Sequence, residues 1–331
     1  MGAVQQQRTA PMTSSTVICR TPPAGERPAI AYRQAGDRSI LVEYGEPDVD
    51  LRLNFVVVAV LGILLAEPPA GFVEAAPGLR AILISFDPEQ STREAILREL
   101  EEIHERLPAL SSLIIPSRRI TLPIAFDDST SREAVERYVA TIRHDAPYTR
   151  GGSNIDYIVE NSSLSGPEEL YSTVTGVSWW TAFTGFFPGL PFLFPLHPGK
   201  KLFAPKYNPP RAWTAEGAVG IGGACAAIFP VESTGSYQLF GRTVPIYDIY
   251  GQHRVFHREP ILIQPGDQVR FVRVTEEELL EARRDVFDNR YEYSIEDAPF
   301  CVADYLRELG NPAETTSGGT ASALGSPARP S

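Results

Sequence analysis

The clearest pattern in the chain is an apolar run from Leu53 to Ala66, LNFVVVAVLGILLA. A helix of that length rises roughly 21 Å, short of the ~30 Å hydrocarbon core of a bilayer. The run therefore predicts a helix buried in a soluble core, and Asn54 and Gly62 inside it point the same way. Ahead of it, AIAYRQA and SILVEYG are β-prone runs around Gly36-Asp37, a hairpin pattern. Pro68 and Pro69 stop the helix, because proline lacks the N–H that helix continuation needs. FVEAAPG and LRAILISFDP are two more strands, broken by Pro77-Gly78. Ser91 to Leu107 predicts a helix. Ser91 with Glu94 reads as a capping box, and Ile96, Leu100, Ile103 and Leu107 recur at helical spacing. The order β-β-α-β-β-α predicts an α+β layer with both helices on one face of an antiparallel sheet.

A second pattern begins near Arg118. Ile120, Leu122, Ile124 and Phe126 alternate as in a strand. Ser131 to Arg143, Asn154 to Glu160 and Pro167 to Thr173 read as helices. Beyond Val174 the runs VSWWTAFTGFF, LPFLFPL, AVGIGG, ACAAIFPV, YQLFGRTV and ILIQPGDQVRFVRV alternate with Gly and Pro. Many short strands at close spacing predict a barrel or sandwich. Thr275 to Asp285 starts a charged helix, with acids in its first turn and Arg283-Arg284 later, as the helix dipole favours. Residues 1–28 and 311–331 lack periodicity and are rich in Gln, Thr, Ser, Pro, Gly and Ala. They read as a disordered arm and tail.

Composition narrows the function. Lys plus Arg is 30, Asp plus Glu is 41, and the formal charge is −11. A phosphate backbone needs a basic face, so nucleic acid is not an expected partner. Nor is a membrane. Cys19, Cys225 and Cys301 are too scattered for a zinc site or a disulfide framework, and no metal is expected. With no apolar secretory core at the N-terminus, the expected location is the cytoplasm. No HExxH and no Gly-x-Ser-x-Gly motif occurs.

Residues 203–245 carry the most specific signal: FAPKYNPPRAWTAEGAVGIGGACAAIFPVESTGSYQLFGRTVP. The segment resembles the signature region of the urea carboxylase carboxyltransferase domain, where K-Y-N-P-x-R leads to T-x-E-x-A-V-G-I-G-G and then G-x-Y-Q-x-x-G-R-T. The same region is similar to allophanate hydrolase subunit 1, to the B-type subunit of 5-oxoprolinase and to the sporulation kinase inhibitors. YRQAGDRSILVEYGE, GFFPGLPFL and EDAPFCVADYL match further family stretches. One departure is at Thr184-Gly185-Phe186-Phe187, which lacks the acid of the urea carboxylase version and follows the 5-oxoprolinase type.

The resemblance implies a ferredoxin-like α+β domain over 29–116 and a cyclophilin-like β-barrel over 117–275. A C-terminal helical extension over 276–310 would follow. It implies a subunit of an ATP-dependent amide-hydrolysing or carboxylating enzyme acting on a small amide, ureido or carboxylate substrate. A homologous second carboxyltransferase half or another enzyme subunit is the expected partner. No cofactor is assigned to this chain itself, and ATP would enter through the partner complex. A free-standing enzyme on a carbonyl or carboxylic acid metabolite, or a regulatory protein of the kinase-inhibitor type, are the alternatives.

The chemistry of the motif residues sorts them into roles. Arg242 and Arg211 can fork a carboxylate, and Lys206 and His197 add a cation and a loop base. These four are the catalytic candidates. Tyr207, Asn208, Tyr237 and Gln238 offer neutral hydrogen-bond groups for an amide or ureido substrate. Glu232 joins them as a binding candidate, and it or Glu216 can also serve as an ion-pair partner for the arginines. Gly222 and Gly223 would let backbone N–H groups approach an enolate or oxyanion.

Overall fold

In the computed structural model, residues 16–197, 199–200 and 202–310 are described. The expected tail at 311–331 and the arm as far as residue 15 lie outside them. The rest of the expected arm is not irregular throughout. Val17–Thr21 forms β1 and pairs antiparallel with Ile30–Gln34, β2. Then come β3 (Ser39–Tyr44), α1 (Leu51–Ala66), β4 (Phe72–Pro77), β5 (Ala81–Phe86) and α2 (Arg93–Arg106).

These strands form one antiparallel sheet in the order β1-β2-β3-β5-β4. Alternate residues Ile40, Val42, Tyr44, Ile82, Ile84 and Phe86 are buried beneath α1 and α2. The expected α+β layer is present. The expected ferredoxin-like connectivity is not found: the strands and helices run β-β-β-α-β-β-α, not β-α-β-β-α-β. The cap of α2 also differs by one residue. Thr92, not Ser91, accepts the N–H of Ala95, because Thr92 has the extended backbone an N-cap needs.

Helix α1 is buried on two sides. Val56, Val57, Val60 and Leu64 face the sheet. Leu51, Phe55 and Val58 face Trp180, Ala182, Phe194, Phe300 and Val302 of the second half. Phe55 meets Trp180 edge-to-face with centroids 5.1 Å apart. Burying a side chain of this size contributes about 1.5–3 kcal/mol. Asn54 is fully buried among these apolar neighbours. Its amide nitrogen reaches the carbonyls of Gly78, Leu79 and Ala182 at 3.0–3.1 Å, and its oxygen accepts the Trp180 indole N–H at 2.7 Å. One amide thus satisfies backbone groups in both halves.

The second half starts with β6 (Ile114–Ile115), β7 (Arg118–Phe126), α3 (Ser129–Thr141), α4 (Ile155–Asn161) and α5 (Pro167–Thr175). It continues with β8 (Trp179–Thr184), β9 (Pro191–Pro195), β10 (Arg211–Thr214), β11 (Ala218–Gly222) and β12 (Cys225–Ile228). The last elements are β13 (Ser233–Gly235), β14 (Gln238–Arg242), β15 (Gln268–Arg273), α6 (Glu276–Phe287), β16 (Ser294–Asp297), β17 (Phe300–Cys301) and α7 (Val302–Gly310). Strands β14-β11-β12-β9-β8-β15-β7 close on themselves through β14–β7 pairing, which makes a seven-stranded barrel. The predicted barrel is therefore present. Its interior holds Ile120, Leu122, Trp179, Val219, Ile221 and Phe240.

The region after α6 is not purely helical, as the sequence had suggested. Strand β16 adds to β7, and β17 pairs with β6. The aromatic residues Phe300 and Tyr305 then pack on Phe55. Among the described residues no helix is long and apolar enough to cross a membrane.

Candidate functional site

Strand register divides the barrel into two ends. At one end stand Gly222, Cys225, Gln238 and Pro195; at the other stand Ala218, Ile228, Arg242 and Pro191. The five residues of β14 separate Gln238 from Arg242 by about 13 Å at strand rise. Residues that the sequence grouped as one candidate site are therefore shared between two places.

The first end is built on the hairpin between β11 and β12. Gly222 faces Cys225 across a two-residue turn, with Gly223 at φ +65°. Positive φ here favours glycine. The Gly223 N–H donates to Ala204 O at 2.8 Å, so it is not free to hold an oxyanion, contrary to the sequence expectation. Gly222 serves packing instead. A Cβ there would sit 2.3 Å from the Tyr237 ring, so only glycine lets that ring lie against β11.

Arg211 is 1% exposed, which decides its role. Its guanidinium donates to Tyr237 O at 2.6 Å and to Thr214 Oγ1 at 3.2–3.3 Å. It also lies 4.4 Å over the Tyr207 ring. No carboxylate pairs with it among the described residues. Burial works against its charge, and the Tyr207, Tyr138 and Tyr148 oxygens work the other way. In this conformation Arg211 cannot clamp a substrate carboxylate. It pins the Lys206–Arg211 loop onto β14.

The neighbours complete that anchoring. Tyr207 OH accepts from Asn154 Nδ2 at 2.6 Å, and Asn154 Oδ1 accepts the Leu239 N–H at 2.8 Å. Tyr148 OH donates to Asn208 O at 3.0 Å. Gln238 is fully buried, and its Nε2 donates to Pro205 O at 2.7 Å. Asn208 is exposed, but its backbone is held by Tyr148 and by Arg143.

On this frame sits an accessible group. Lys206 is exposed, with Nζ 5.3 Å from the Tyr237 ring centroid. It forms no ion pair among the described residues. Tyr237 OH lies 3.1 Å from Cys225 Sγ. Burial pushes the Tyr237 phenol up, and the neighbouring Cys225 adds to this, so the phenol keeps its proton. Burial also pushes the Cys225 thiol up, against the Tyr237 hydrogen bond and the Lys206 charge. The end therefore presents an exposed ammonium beside a buried phenol that keeps its proton and is shared with Cys225, with no carboxylate on Lys206 or Arg211 among the described residues. Such a set can hold an anion or a polarised carbonyl.

Arg242 belongs to the other end. Its Nε donates to Glu216 O at 2.9 Å, NH1 donates to Thr130 Oγ1 at 3.0 Å, and NH2 stands 4.0 Å from the Glu216 carboxylate. Glu216 also pairs closely with buried Arg283, which donates to Thr243 O at 2.6 Å. Arg283 thus serves this cluster rather than the helix dipole alone. The GFFPGLPFL segment forms the β8–β9 turn at this same end, where Gly189 packs on Tyr247 and Ile261.

The structure brings Lys206, Tyr207, Asn208, Arg211, Gly222, Gly223, Tyr237 and Gln238 together. It leaves Arg242 and Glu232 at the opposite end. His197 lies on the exposed loop after β9, where Nδ1 accepts the Gly199 N–H at 3.1 Å. No hydrogen bond or ion pair joins it to Lys206 or Tyr237 among the described residues. Sequence reasoning missed Cys225 and Asn154. Cys225 was findable: the residue just after the Gly223-Ala224 turn pairs with Gly222 and lies on the same side of the sheet.

The chain matches the family model for the carboxyltransferase domain, subdomain C and D, over residues 30–256. It is 35% identical over 296 residues to urea amidolyase of Lachancea kluyveri, covering 87% of this chain and 16% of that protein. It is 30% identical over 241 residues to the B-type subunit of 5-oxoprolinase from Escherichia coli O157:H7, covering 72% of this chain and 93% of that one. In structure it is similar to the Kluyveromyces lactis urea carboxylase, with TM-score 0.79 and 32% identity over 91% of this chain and 27% of that one. The chain thus spans 16% of the length of urea amidolyase and nearly the whole of the 5-oxoprolinase relative. It belongs to the carboxyltransferase domain, subdomain C and D, family.

Proposed function

We propose that this chain is the carboxyltransferase part of an ATP-dependent amide-processing or carboxylating assembly, and that a small carboxylate or carbonyl substrate binds at the Lys206–Tyr237 end of its barrel. One observation carries the reading. The exposed Lys206 ammonium stands by the protonated Tyr237 phenol, and no carboxylate neutralises it among the described residues. Lys206 attracts the anionic group, and the Tyr237 phenol donates to a carbonyl oxygen on which charge develops. Arg211, Tyr207 and Gln238 are positioning residues that hold Lys206 in place. ATP is used by a partner, whether a second carboxyltransferase half or another subunit. Glu232, Arg242 and His197 stand outside this site.

The test has two arms. Native mass spectrometry of the complex purified from its own host reports the partner. Turnover of urea and of 5-oxoproline with ATP, by wild type and by Lys206→Ala, reports the site. The expected result is a partner chain, together with a loss of turnover in Lys206→Ala at a stability change within about 0.5 kcal/mol. A chain that runs alone sinks the subunit reading, and unchanged turnover in Lys206→Ala sinks the site.

A further inference from the structure

The Cys225 thiol joins the Lys206–Tyr237 end from the first position of β12, directly across the hairpin from Gly222. A cysteine in such a place suggests a nucleophile, and its surroundings speak against one. Burial pushes the thiol up, so the sulfur keeps its proton at neutral pH, whereas the thiolate is the reactive form. Hydrogen bonding is the chemistry left to it. Sγ lies 3.1 Å from Tyr237 Oη and 3.5 Å from Gly222 O. Two directions are open to the Tyr237 contact. If the thiol donated to Oη, the phenol's own proton would have no protein acceptor among the described residues. If the phenol donates to Sγ and the thiol to Gly222 O, both protons are paired in one chain. Buried polar groups are paired, so the second direction holds.

Sulfur is a weak acceptor, and a carbonyl or carboxylate oxygen is a stronger one. A phenol bonded to sulfur therefore loses little when it turns to a ligand oxygen, yet it stays paired until that oxygen arrives. The Lys206 charge acts on the same sulfur, so the cation and the exchangeable donor converge on one spot. We propose that Cys225 is a positioning residue: it holds the Tyr237 hydroxyl as a donor in reserve, which a carbonyl or carboxylate oxygen of the substrate claims in place of the sulfur. The inference rests on the reading that substrate binds at the Lys206–Tyr237 end, and it adds how the donor of that site is kept available.

The experiment compares Cys225→Ser and Cys225→Ala with wild type, each in the complex purified from its own host. The readout is kcat/KM with ATP for urea or 5-oxoproline, whichever is turned over. Serine is the closer replacement in shape but the stronger acceptor, so it keeps the phenol's proton from the substrate. Alanine removes the competing acceptor. The expected order is Ala above wild type above Ser, with Ser roughly five- to tenfold below wild type. Urea unfolding followed by circular dichroism should rank the two variants the other way, since serine retains the pairing that alanine loses. A purely structural role makes activity follow stability, with serine the milder change. Any order in which Ser is not the slowest overturns the proposal. If Lys206→Ala has lost turnover in the same assay, that outcome leaves the site itself standing. A complex that turns over neither substrate, or a Lys206→Ala complex with wild-type turnover, overturns both.

Discussion

The two ends of one barrel handle buried arginine in opposite ways. At the hairpin end, Arg211 is enclosed by a peptide carbonyl, a threonine hydroxyl and a tyrosine ring. At the other end, Arg242 and Arg283 converge on the carboxylate of Glu216. A guanidinium can be buried by either route, because carbonyl dipoles and aromatic faces oppose its desolvation as a carboxylate does. The routes leave different surroundings. A carboxylate pair cancels its charge locally. Neutral partners leave the positive potential in place, and exposed Lys206 adds to it. The hairpin end therefore suits an anion, whereas at the Glu216 end the two arginines already face a carboxylate of the chain itself.

The largest expected effect tests whether Arg211 is a pillar. Arg211→Ala removes charge-assisted hydrogen bonds and leaves a void, which should cost about 3–5 kcal/mol in urea unfolding. If Arg211→Ala folds with near wild-type stability but loses ligand binding, Arg211 is a clamp and the contrast fails. A titration sharpens the comparison next, by separating acid sensitivity that belongs to neither end. His104 is buried between Tyr32 OH and Tyr44 OH, 2.9 and 2.7 Å from its nitrogens. Burial holds it down to about 4 from its usual 6.5. The unfolded chain then binds the extra proton first. The stability this confers is complete above pH 6.5 and falls away toward pH 4, by about 3 kcal/mol. Unfolding midpoints at pH 7, 5.5 and 4.5 should show this loss, and His104→Phe should flatten it.

Glu216→Gln probes the other end. Stranding Arg283 without its carboxylate should cost about 2–4 kcal/mol, at the lower side because Gln still accepts one hydrogen bond. If that variant is neutral, the Glu216 cluster contributes no more than a surface pair. The smallest effect is Gly222→Ala, where the added methyl must displace the Tyr237 ring at a cost of about 1–2 kcal/mol. Its value lies in the ratio of effects. Binding at Lys206 should fall further than stability does, whereas Glu216→Gln should leave that binding unchanged.

Much of this was legible in the sequence. Periodicity located α1, α2 and the helices between β7 and β8, and the Gly/Pro-spaced runs located most barrel strands. The short ribbon of β10 and β13 was not read, since four- and three-residue strands carry no period. The motifs located the hairpin end because they are nearly contiguous there. They also assigned Arg242 to it, since four positions along a sequence look adjacent while four along a strand cross a barrel. The Glu216–Arg283 pair spans 67 residues, and no local pattern announces it. Burial of Arg211 was equally invisible, because an arginine beside prolines reads as a surface loop until the tyrosines of three other segments close over it.

Asn54 bears on how this unit can be inherited. Helix α1 belongs to two hydrophobic cores, and its one buried polar side chain fastens carbonyls from each. A gene fusion or fission that cut between the sheet and the barrel would expose Phe55 and Trp180 together and orphan an amide. The workable breakpoints lie outside both, so the sheet and barrel travel as one cassette. That is consistent with matches to most of this chain inside a far longer polypeptide and in a relative shorter than this chain.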